Sequence, residues 1–229
     1  MLFLEDAYLK ECETVAVKIE NNGIILKDTV FYAKSGGQPG DNGRLLINNN
    51  EITVIDTVYN PEKNITHVCE NISNIKIGDK ITAKIDWNQR FIHMRMHSAL
   101  HLLCSLVPYG VTGGQISKEK SRLDFNAEDK MDRGKIEDEI NKLVEQDHEI
   151  SYQWITNEEL DQKPELVRTM SVKPPKTNNK IRLVKIGSID LQPCGGTHVK
   201  STKEIGPIKI SKIENKGKMN KRVNLVLND

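Results

Sequence analysis

Short runs of alternating apolar and polar residues fill the chain up to residue 86, and turn-forming residues separate them. Five such runs are rich in β-branched and aromatic residues: 14–20, 24–32, 52–59, 65–69 and 80–86. Alternation with a period of two predicts half-buried strands. This part of the chain is therefore predicted to be a small all-β domain, barrel-like in form.

At Trp87 the spacing of the apolar residues changes from that of a strand to that of a helix. Residues 88–107 are predicted to form a helix that Pro108 ends, because proline cannot continue the hydrogen-bond ladder. Its buried face is predicted to carry four apolar residues: Phe91, Met94, Leu102 and Leu106. A second domain is expected to begin here, which gives two domains at residues 1–87 and 88–229.

Helices and strands alternate irregularly in the second domain. Residues 134–148 have apolar side chains at the spacing of one helical face, so they are predicted to form an amphipathic helix packed on a sheet. Thr156 and Glu159 have the spacing of a capping box, and residues 174–179 are predicted to form an exposed loop. Four further runs are predicted to be strands: 150–155, 181–186, 204–213 and 223–227. The predicted fold class is α+β, with a two-layer second domain.

Composition indicates a folded chain whose charge is segregated. Hydrophobic residues make up 37% of the 229 residues, which is enough for the core of one or two domains. The formal net charge is only +1, yet residues 200–222 contain eight basic residues against two acidic ones, and residues 128–149 contain nine acidic residues against four basic ones. A clustered basic stretch suits a polyanionic partner, although a solvated lysine-rich surface fits the same composition.

Neither a membrane anchor nor an export signal is visible. No apolar run reaches the roughly 20 residues that a membrane-spanning helix needs, and the first residues lack the basic-then-apolar pattern of a signal peptide. The protein is therefore expected to be cytoplasmic. Its four cysteines lie far apart without paired spacing, so they are expected to be thiols or metal ligands and not a disulfide framework.

Two short motifs supply the side chains that a zinc ion prefers. His97 and His101 are four residues apart in the predicted helix, so both imidazoles project from one face, which His93 shares. Cys194 and His198 flank two glycines and a threonine, in a sequence suited to a tight turn. Three imidazoles and one thiolate favour Zn²⁺ over Mg²⁺ or Ca²⁺, which prefer oxygen ligands. Each motif alone also fits an ordinary structural role.

The order and spacing of five segments resemble the editing domain of alanyl-tRNA synthetase and its free-standing relatives, the AlaX proteins. These segments are residues 95–103 (RMHSALHLL), 121–125 (SRLDF), 194–198 (CGGTH), 205–208 (IGPI) and 212–217 (KIENKG). Upstream, FYAKSGGQPGD at residues 31–41 is similar to the glycine-rich segment of the family's small β domain, although its glycines also fit an ordinary tight turn. The resemblance covers nearly the whole chain. Ser98 departs from it, since many relatives have threonine there.

This resemblance implies an aminoacyl-tRNA deacylase, a zinc-dependent carboxylic ester hydrolase that needs no ATP. It would act on the acceptor end of alanine tRNA, hydrolysing the ester of wrongly attached serine or glycine. It implies one zinc ion per chain, with four ligands: His97, His101, Cys194 and His198. Thr29 and Gln38 resemble substrate-contacting residues, with the Thr29 hydroxyl placed to test for the serine hydroxyl, and Asp190 is a candidate to support one ligand. No aminoacylation domain fits in the chain, so correction in trans is expected, although a piece of a longer synthetase fits the same sequence.

The basic stretch is the expected tRNA contact. Its candidate phosphate-binding residues are Lys212, Lys216, Lys218, Lys221 and Arg222. Two other functions remain open. One is a non-catalytic tRNA-binding module stabilised by a structural zinc ion. The other is a zinc hydrolase of a small-molecule ester or amide, whose activity would be indifferent to tRNA. The oligomeric state also remains open.

Overall fold

The computed structural model describes residues 1–48, 50–73, 75–170 and 180–228. The chain divides into two compact units, Met1–Ile92 and His93–Asp229. This division lies inside a long helix, a few residues after the boundary near residue 87 that the sequence suggests. The loop predicted at residues 174–179 lies outside the described residues.

The first unit is a closed six-stranded barrel, which confirms the barrel-like form that the sequence predicts. Its strands are β1 (Glu11–Glu20), β2 (Gly23–Leu26), β3 (Gly43–Ile47), β4 (Asn50–Tyr59), β5 (Ile65–Cys69) and β6 (Lys80–Ile85). They are hydrogen-bonded in the order β1-β2-β5-β4-β3-β6, and every pairing is antiparallel. The barrel interior is filled by inward-facing apolar side chains that include Ile24, Leu45, Val54 and Ile81. Closure leaves the barrel without a free strand edge.

The segment after β2 is buried but is not a strand, so the predicted strand at residues 24–32 ends early, at Leu26. Val30, Phe31 and Ala33 are completely buried, which explains the apolar pattern. The Lys34 N–H donates to the Thr57 carbonyl at 2.8 Å, and this contact docks the segment on β4. An apolar run therefore predicted burial correctly and the strand incorrectly.

A buried ion pair holds this segment in place. The Arg90 guanidinium and the Asp41 carboxylate are 0% and 1% exposed at the side chain, and the Arg90 Nε lies 3.0 Å from both carboxylate oxygens. Arg90 also donates to the carbonyl oxygens of Ala7 and Val30, at 2.9 and 2.6 Å. The Asp41 carboxylate accepts the Tyr32 N–H at 2.6 Å. Arg90 thus fixes the segment at Val30 and at Asp41. The Asp41 carboxylate also neutralises the buried charge of Arg90, which would be costly to bury alone.

Two glycines close a tight turn within the same segment. Ser35 and Gln38 exchange two backbone hydrogen bonds, at 3.1 and 2.8 Å. Gly36 and Gly37 between them have φ values of 54° and 84°. Two successive residues with positive φ are the requirement of a type I′ hairpin turn, and glycine meets it at little cost. The glycine pair is thus explained by local geometry.

The second unit is the α+β layer structure that the sequence predicts. Its helices are α1 (Trp87–Leu106), which begins in the first unit, α2 (Arg133–Glu145) and α3 (Asn157–Asp161). Its strands are β7 (Val111–Gln115), β8 (Ser121–Phe125), β9 (Ile150–Thr156), β10 (Lys180–Ile186), β11 (Asp190–Pro193), β12 (Ile208–Asn215) and β13 (Lys221–Leu227). They form a four-stranded sheet, β12-β13-β8-β7, and a three-stranded sheet, β11-β10-β9. The capping box at Thr156 and Glu159 is confirmed.

Helix α2 packs against the edge strand β12, as its amphipathic pattern predicts. Asn141 exchanges two hydrogen bonds with the Ile208 backbone, at 2.8 and 2.9 Å. The Glu137 carboxylate accepts the Ile210 N–H at 2.8 Å. These side chains satisfy edge groups that would otherwise invite pairing with another strand. The strand predicted at residues 204–213 begins only at Ile208, because Thr202–Ile205 form a short 3₁₀ helix.

The Arg90–Asp41 pair gives a prediction about stability. Asp41→Asn leaves the Arg90 charge buried without its partner, so we expect the free energy of unfolding of the first unit to fall by about 3 kcal/mol or more. Urea denaturation followed by Trp87 fluorescence, in a Trp154→Phe background, measures it. The control is Glu51→Gln, which removes the exposed pair with Arg44 and should cost under about 1 kcal/mol. Equal effects of the two substitutions would contradict this role.

Candidate metal centre

Three imidazoles and one thiol converge on a single buried point of the second unit. His97 and His101 lie one turn apart on α1, and His198 and Cys194 lie on the loop after β11. The Cys194 Sγ is 3.4 Å from the Nε2 atoms of both His97 and His198. One possible ligand atom from each of the four residues lies within 4.8 Å of all the others. His93, on the same helical face, is not part of this group.

Two distances within the group are close to those of a tetrahedral zinc site. With Zn–S and Zn–N bonds of about 2.3 and 2.05 Å, tetrahedral angles place sulfur and nitrogen about 3.5 Å apart. The two measured Sγ–Nε2 separations agree with this value. The four residues are at most 8% exposed, and their side chains offer nitrogen and sulfur but no oxygen. The group could therefore hold a metal ion, and its nitrogen and sulfur donors suit zinc.

The electrostatics of the group also call for a cation. Burial by itself would raise the pKa of the Cys194 thiol, but His97, His198 and hydrogen bonds from His101 and His198 hold that pKa well below its ordinary value. Burial and the neighbouring His97 push the pKa of His198 well below its ordinary value. A zinc ion binds the thiolate form of cysteine and the neutral form of histidine, and the low pKa values of Cys194 and His198 favour these forms.

A carboxylate and an amide orient the His101 ring. The Asp190 Oδ2 lies 3.1 Å from the His101 Nδ1 and accepts a hydrogen bond of 2.7 Å from the Gln192 amide. Burial would lower the pKa of His101, but the hydrogen bonds to Asp190 and Cys194 outweigh it and raise the pKa to about 9. A carboxylate on the distal ring nitrogen fixes the ring and leaves the Nε2 facing the cluster. Asp190, a candidate from the sequence, thus contacts one of the four residues.

Ser98 orients a second ring. Its hydroxyl lies 3.2 Å from the His198 Nδ1 and accepts the Val199 N–H at 3.3 Å. With a metal ion bound at the His198 Nε2, the neutral ring would carry its hydrogen on Nδ1 and donate it to Ser98. One side chain of α1 therefore fixes both the ring and the backbone of the loop beside it. A threonine would keep this hydroxyl, which accounts for the conservative departure at this position.

A buried arginine fixes the loop that contains Cys194. The Arg182 side chain, on β10, donates to the carbonyl oxygens of Cys194, at 3.0 Å, and of Gly196. Its guanidinium also stacks on the Tyr152 ring, 4.3 Å from the centroid. Inside the loop, the Gly196 N–H donates to the Cys194 Sγ at 3.3 Å. This N–H stabilises negative charge on the sulfur, as an N–H directed at a thiolate does.

The two predicted substrate residues lie in the first unit. Thr29 is 4% exposed, and its Oγ1 lies 2.7 Å from the His67 Nε2 and accepts the Phe31 N–H at 3.0 Å. Gln38 is completely buried at the end of the glycine turn. Both belong to the segment that Arg90 and Asp41 hold.

The five predicted tRNA contacts lie on the hairpin of β12 and β13. Lys212, Lys216 and Lys218 are exposed, and the first two lie 3.2 and 3.6 Å from the Glu214 carboxylate. Lys221 is only 9% exposed. Arg222 is half-buried and donates to both carboxylate oxygens of Asp124 on β8, at 2.7 and 2.9 Å. Arg222 therefore braces the sheet, and the exposed members of the predicted five are Lys212, Lys216 and Lys218.

Comparisons with known proteins agree with these two units. Residues 181–224 match the family model described as the threonyl and alanyl tRNA synthetase second additional domain, and residues 4–89 match the model for class II (A) tRNA synthetases. The chain is 37% identical over 227 residues to the alanyl-tRNA editing protein AlaX-M of Saccharolobus solfataricus, covering 97% of this chain and 96% of the relative. It is 33% identical to the AlaX-M protein of Pyrococcus horikoshii, covering 99% and 96%.

A longer protein matches over the same residues. The alanine–tRNA ligase of Pyrococcus abyssi is 33% identical over 223 residues, which are 93% of this chain but 24% of the ligase. The two units thus resemble part of a synthetase. The alanyl-tRNA editing proteins AlaX-M, in contrast, match over nearly the whole length of both chains. The chain belongs to the AlaX-M family of alanyl-tRNA editing proteins. Among the described residues, no helix is long and apolar enough to cross a membrane.

Sequence reasoning did not identify Ser98, Arg182, Gln192 or His67 as parts of these arrangements. Ser98 and His198 are a hundred residues apart, and no local pattern reports such a contact. A signal did exist for His67. Ile65, His67 and Cys69 are alternate residues of β5, so a histidine between two apolar residues is expected to be buried with them.

The Ser98 contacts predict an effect on metal affinity. Ser98→Ala removes the partner of His198, so we expect affinity for Co²⁺, a coloured probe of thiolate ligation, to fall about tenfold. Ser98→Thr should restore it. The control is Ser105→Ala on the same helix, whose hydroxyl bonds the Leu102 carbonyl and does not contact the cluster. Absorption titration measures all three, and unchanged affinity in Ser98→Ala would contradict the assignment.

Proposed function

We propose that this protein is a zinc-dependent deacylase that removes serine or glycine wrongly attached to alanine tRNA. The observation that carries this proposal is a buried group of three imidazoles and one thiol in a chain of the AlaX-M family. The names of these relatives indicate editing of alanyl-tRNA, and editing of a charged tRNA is hydrolysis of its aminoacyl ester. The reaction class is therefore a carboxylic ester hydrolysis.

One zinc ion per chain is proposed to be held by His97, His101, Cys194 and His198. Bound there, zinc supplies a Lewis acid that can polarise an ester carbonyl, or a positive charge that orients the amino group or terminal ribose of the substrate. Asp190 and Ser98 keep two of the rings in the ligating orientation. With its sulfur committed to the metal, Cys194 has no role as a covalent nucleophile. An aminoacyl ester is already activated, so orientation and access of water are sufficient.

Selection between amino acids is proposed to depend on Thr29 and Gln38. The enzyme must accept serine and reject the correct product, which carries alanine. A site built to bond a substrate hydroxyl discriminates strongly against an analogue that lacks it, because the buried polar group then has no partner. The buried Thr29 hydroxyl has this chemistry. Gln38 adds a second buried polar side chain in the same segment.

The tRNA is proposed to lie along the hairpin of β12 and β13. Lys212, Lys216 and Lys218 are exposed there and can neutralise phosphates near the acceptor end without reading bases. Lys221 and Arg222 belong to the same stretch, but their burial favours a bracing role for both. Contacts of this type depend on charge and salt and not on base sequence.

One observation favours a second candidate function. Four protein ligands complete a tetrahedral shell, and closed shells are typical of structural zinc, whereas catalytic zinc keeps a position open. In this alternative the chain is a tRNA-binding module that needs zinc to fold and hydrolyses nothing. The shell would have to expand, or release a ligand, for direct activation of water. A role for zinc in orienting the substrate needs neither.

Deacylation assays with three substrates distinguish these functions. Purified protein whose zinc content has been determined is incubated with alanine tRNA charged with serine, glycine or alanine. We expect serine or glycine to be released while alanyl-tRNA survives. For serine the reason is its hydroxyl, which Thr29 can bind and which alanine lacks. Binding of all three without release of any would support the structural module. Equal hydrolysis of a free amino-acid ester would instead indicate a small-molecule esterase.

The hairpin gives a separate prediction about salt. Replacing Lys212, Lys216 and Lys218 together by alanine removes up to three phosphate contacts, so the slope of log affinity for tRNA against log salt should fall by about two to three. The matched control replaces three exposed lysines elsewhere: Lys27, Lys76 and Lys130. Binding titrations over a range of potassium chloride concentrations measure both. A larger change in the control than in the hairpin variant would contradict the proposed contact.

A further inference from the structure

A buried histidine that the reaction does not use contacts the residue proposed to select the amino acid. His67, on β5, is completely buried, and its ring packs edge-on against Phe31 at 5.1 Å between centroids. Its two ring nitrogens both have partners: the Ile24 carbonyl for Nδ1 and the Thr29 hydroxyl for Nε2. Gly23 beside Ile24 leaves no room for a Cβ against the His67 carbonyl, which lets β2 and β5 approach closely here. The contact is built into the barrel wall.

The partners of His67 determine which nitrogen carries hydrogen. The Ile24 carbonyl, 3.0 Å from Nδ1, can only accept, so Nδ1 must donate. Burial lowers the pKa of His67 to about 4, so the ring is neutral near pH 7 and has a single N–H. That N–H is on Nδ1. The Nε2 is therefore a bare acceptor, directed at the Thr29 hydroxyl 2.7 Å away.

The orientation of the Thr29 hydroxyl follows. Since Nε2 can only accept, the hydroxyl donates its one hydrogen to His67. The same oxygen accepts the Phe31 N–H at 3.0 Å. A hydroxyl has one hydrogen and two lone pairs, so a single lone pair remains for a ligand. Any further group that hydrogen-bonds to the Thr29 hydroxyl must then be a donor.

We propose that His67 is a positioning residue that holds the Thr29 hydroxyl as a hydrogen-bond acceptor, so that Thr29 receives the hydroxyl hydrogen of a seryl ester. This inference rests on the proposed function and names the group that is recognised. Serine offers that donor, whereas glycine and alanine have no side-chain donor. A freely rotating hydroxyl could instead donate to the ester carbonyl, which all three esters share. Fixing its hydrogen on His67 removes that non-selective contact and predicts that serine is preferred over glycine.

A matched pair of substitutions tests the role of the Nε2 acceptor. His67→Gln keeps an acceptor at this distance from the backbone, while His67→Met has similar length and no acceptor of comparable strength. We expect the ratio of kcat/KM for seryl- over glycyl-tRNA to fall about tenfold in His67→Met, the value of one hydrogen bond, and to be largely kept in His67→Gln. If His67 had a purely structural role, its replacement would lower kcat/KM alike for seryl- and glycyl-tRNA and leave their ratio unchanged.

A double substitution tests whether His67 acts through Thr29. Thr29→Val removes the hydroxyl at nearly constant volume, and we expect the same fall in the serine-to-glycine ratio. Adding His67→Met to Thr29→Val should then produce no further fall. The control is Thr66→Val on the same strand, whose hydroxyl bonds Glu20, and it should keep the wild-type ratio. Additive effects of the two substitutions would overturn the proposal.

Nitrogen-15 spectra of the wild-type ring test the arrangement without any variant that might fail to fold. We expect a neutral His67 with hydrogen on Nδ1 near pH 7, and hydrogen on Nε2 would overturn the proposal. If wild-type protein hydrolyses neither seryl- nor glycyl-tRNA, the proposed function fails and the recognition role fails with it. If wild-type protein prefers serine and His67→Met keeps that preference, this inference alone fails.

Discussion

A buried thiolate in contact with three imidazoles is the interaction on which the second unit depends. Negative charge in a protein interior is costly unless a cation or several donors compensate it. Cys194 receives one backbone N–H from Gly196, and its remaining neighbours are rings that a metal ion would share. The compensating charge must come from a proton on an imidazole or from a bound cation. The spacing of the four donor atoms suits the cation.

The surrounding structure serves to hold these four side chains at that spacing. Helix α1 supplies two rings from adjacent turns, and the Cys194 loop supplies the third ring and the sulfur. Arg182 fixes the loop through two backbone carbonyls, and Ser98 joins the loop to the helix. Each link is a hydrogen bond made in the interior, where leaving a partner unsatisfied costs about 1–3 kcal/mol. These links hold the four side chains close together.

The sequence predicts the residue types of this cluster because metal chemistry restricts them severely. Histidines at helical spacing and a cysteine near a third histidine are visible without knowledge of the fold. The supporting residues are not visible, because Ser98, Arg182 and Gln192 reach their partners through the tertiary fold. Strand prediction failed in a related way. Residues 111–115 contain two adjacent glycines and form β7 through tertiary pairing, mainly with β8. β5 is rich in β-branched residues and was predicted at its observed bounds.

The central claim is that deacylation requires the metal ion held by the four side chains, and one assay tests this requirement most directly. Seryl-tRNA deacylation is measured for the His97→Ala/Cys194→Ala double variant, with elemental analysis for metal content and circular dichroism for the fold. We expect a folded protein that contains no zinc and has lost deacylation, since two of the four ligands are absent. Full deacylation by a demonstrably metal-free double variant would contradict the account.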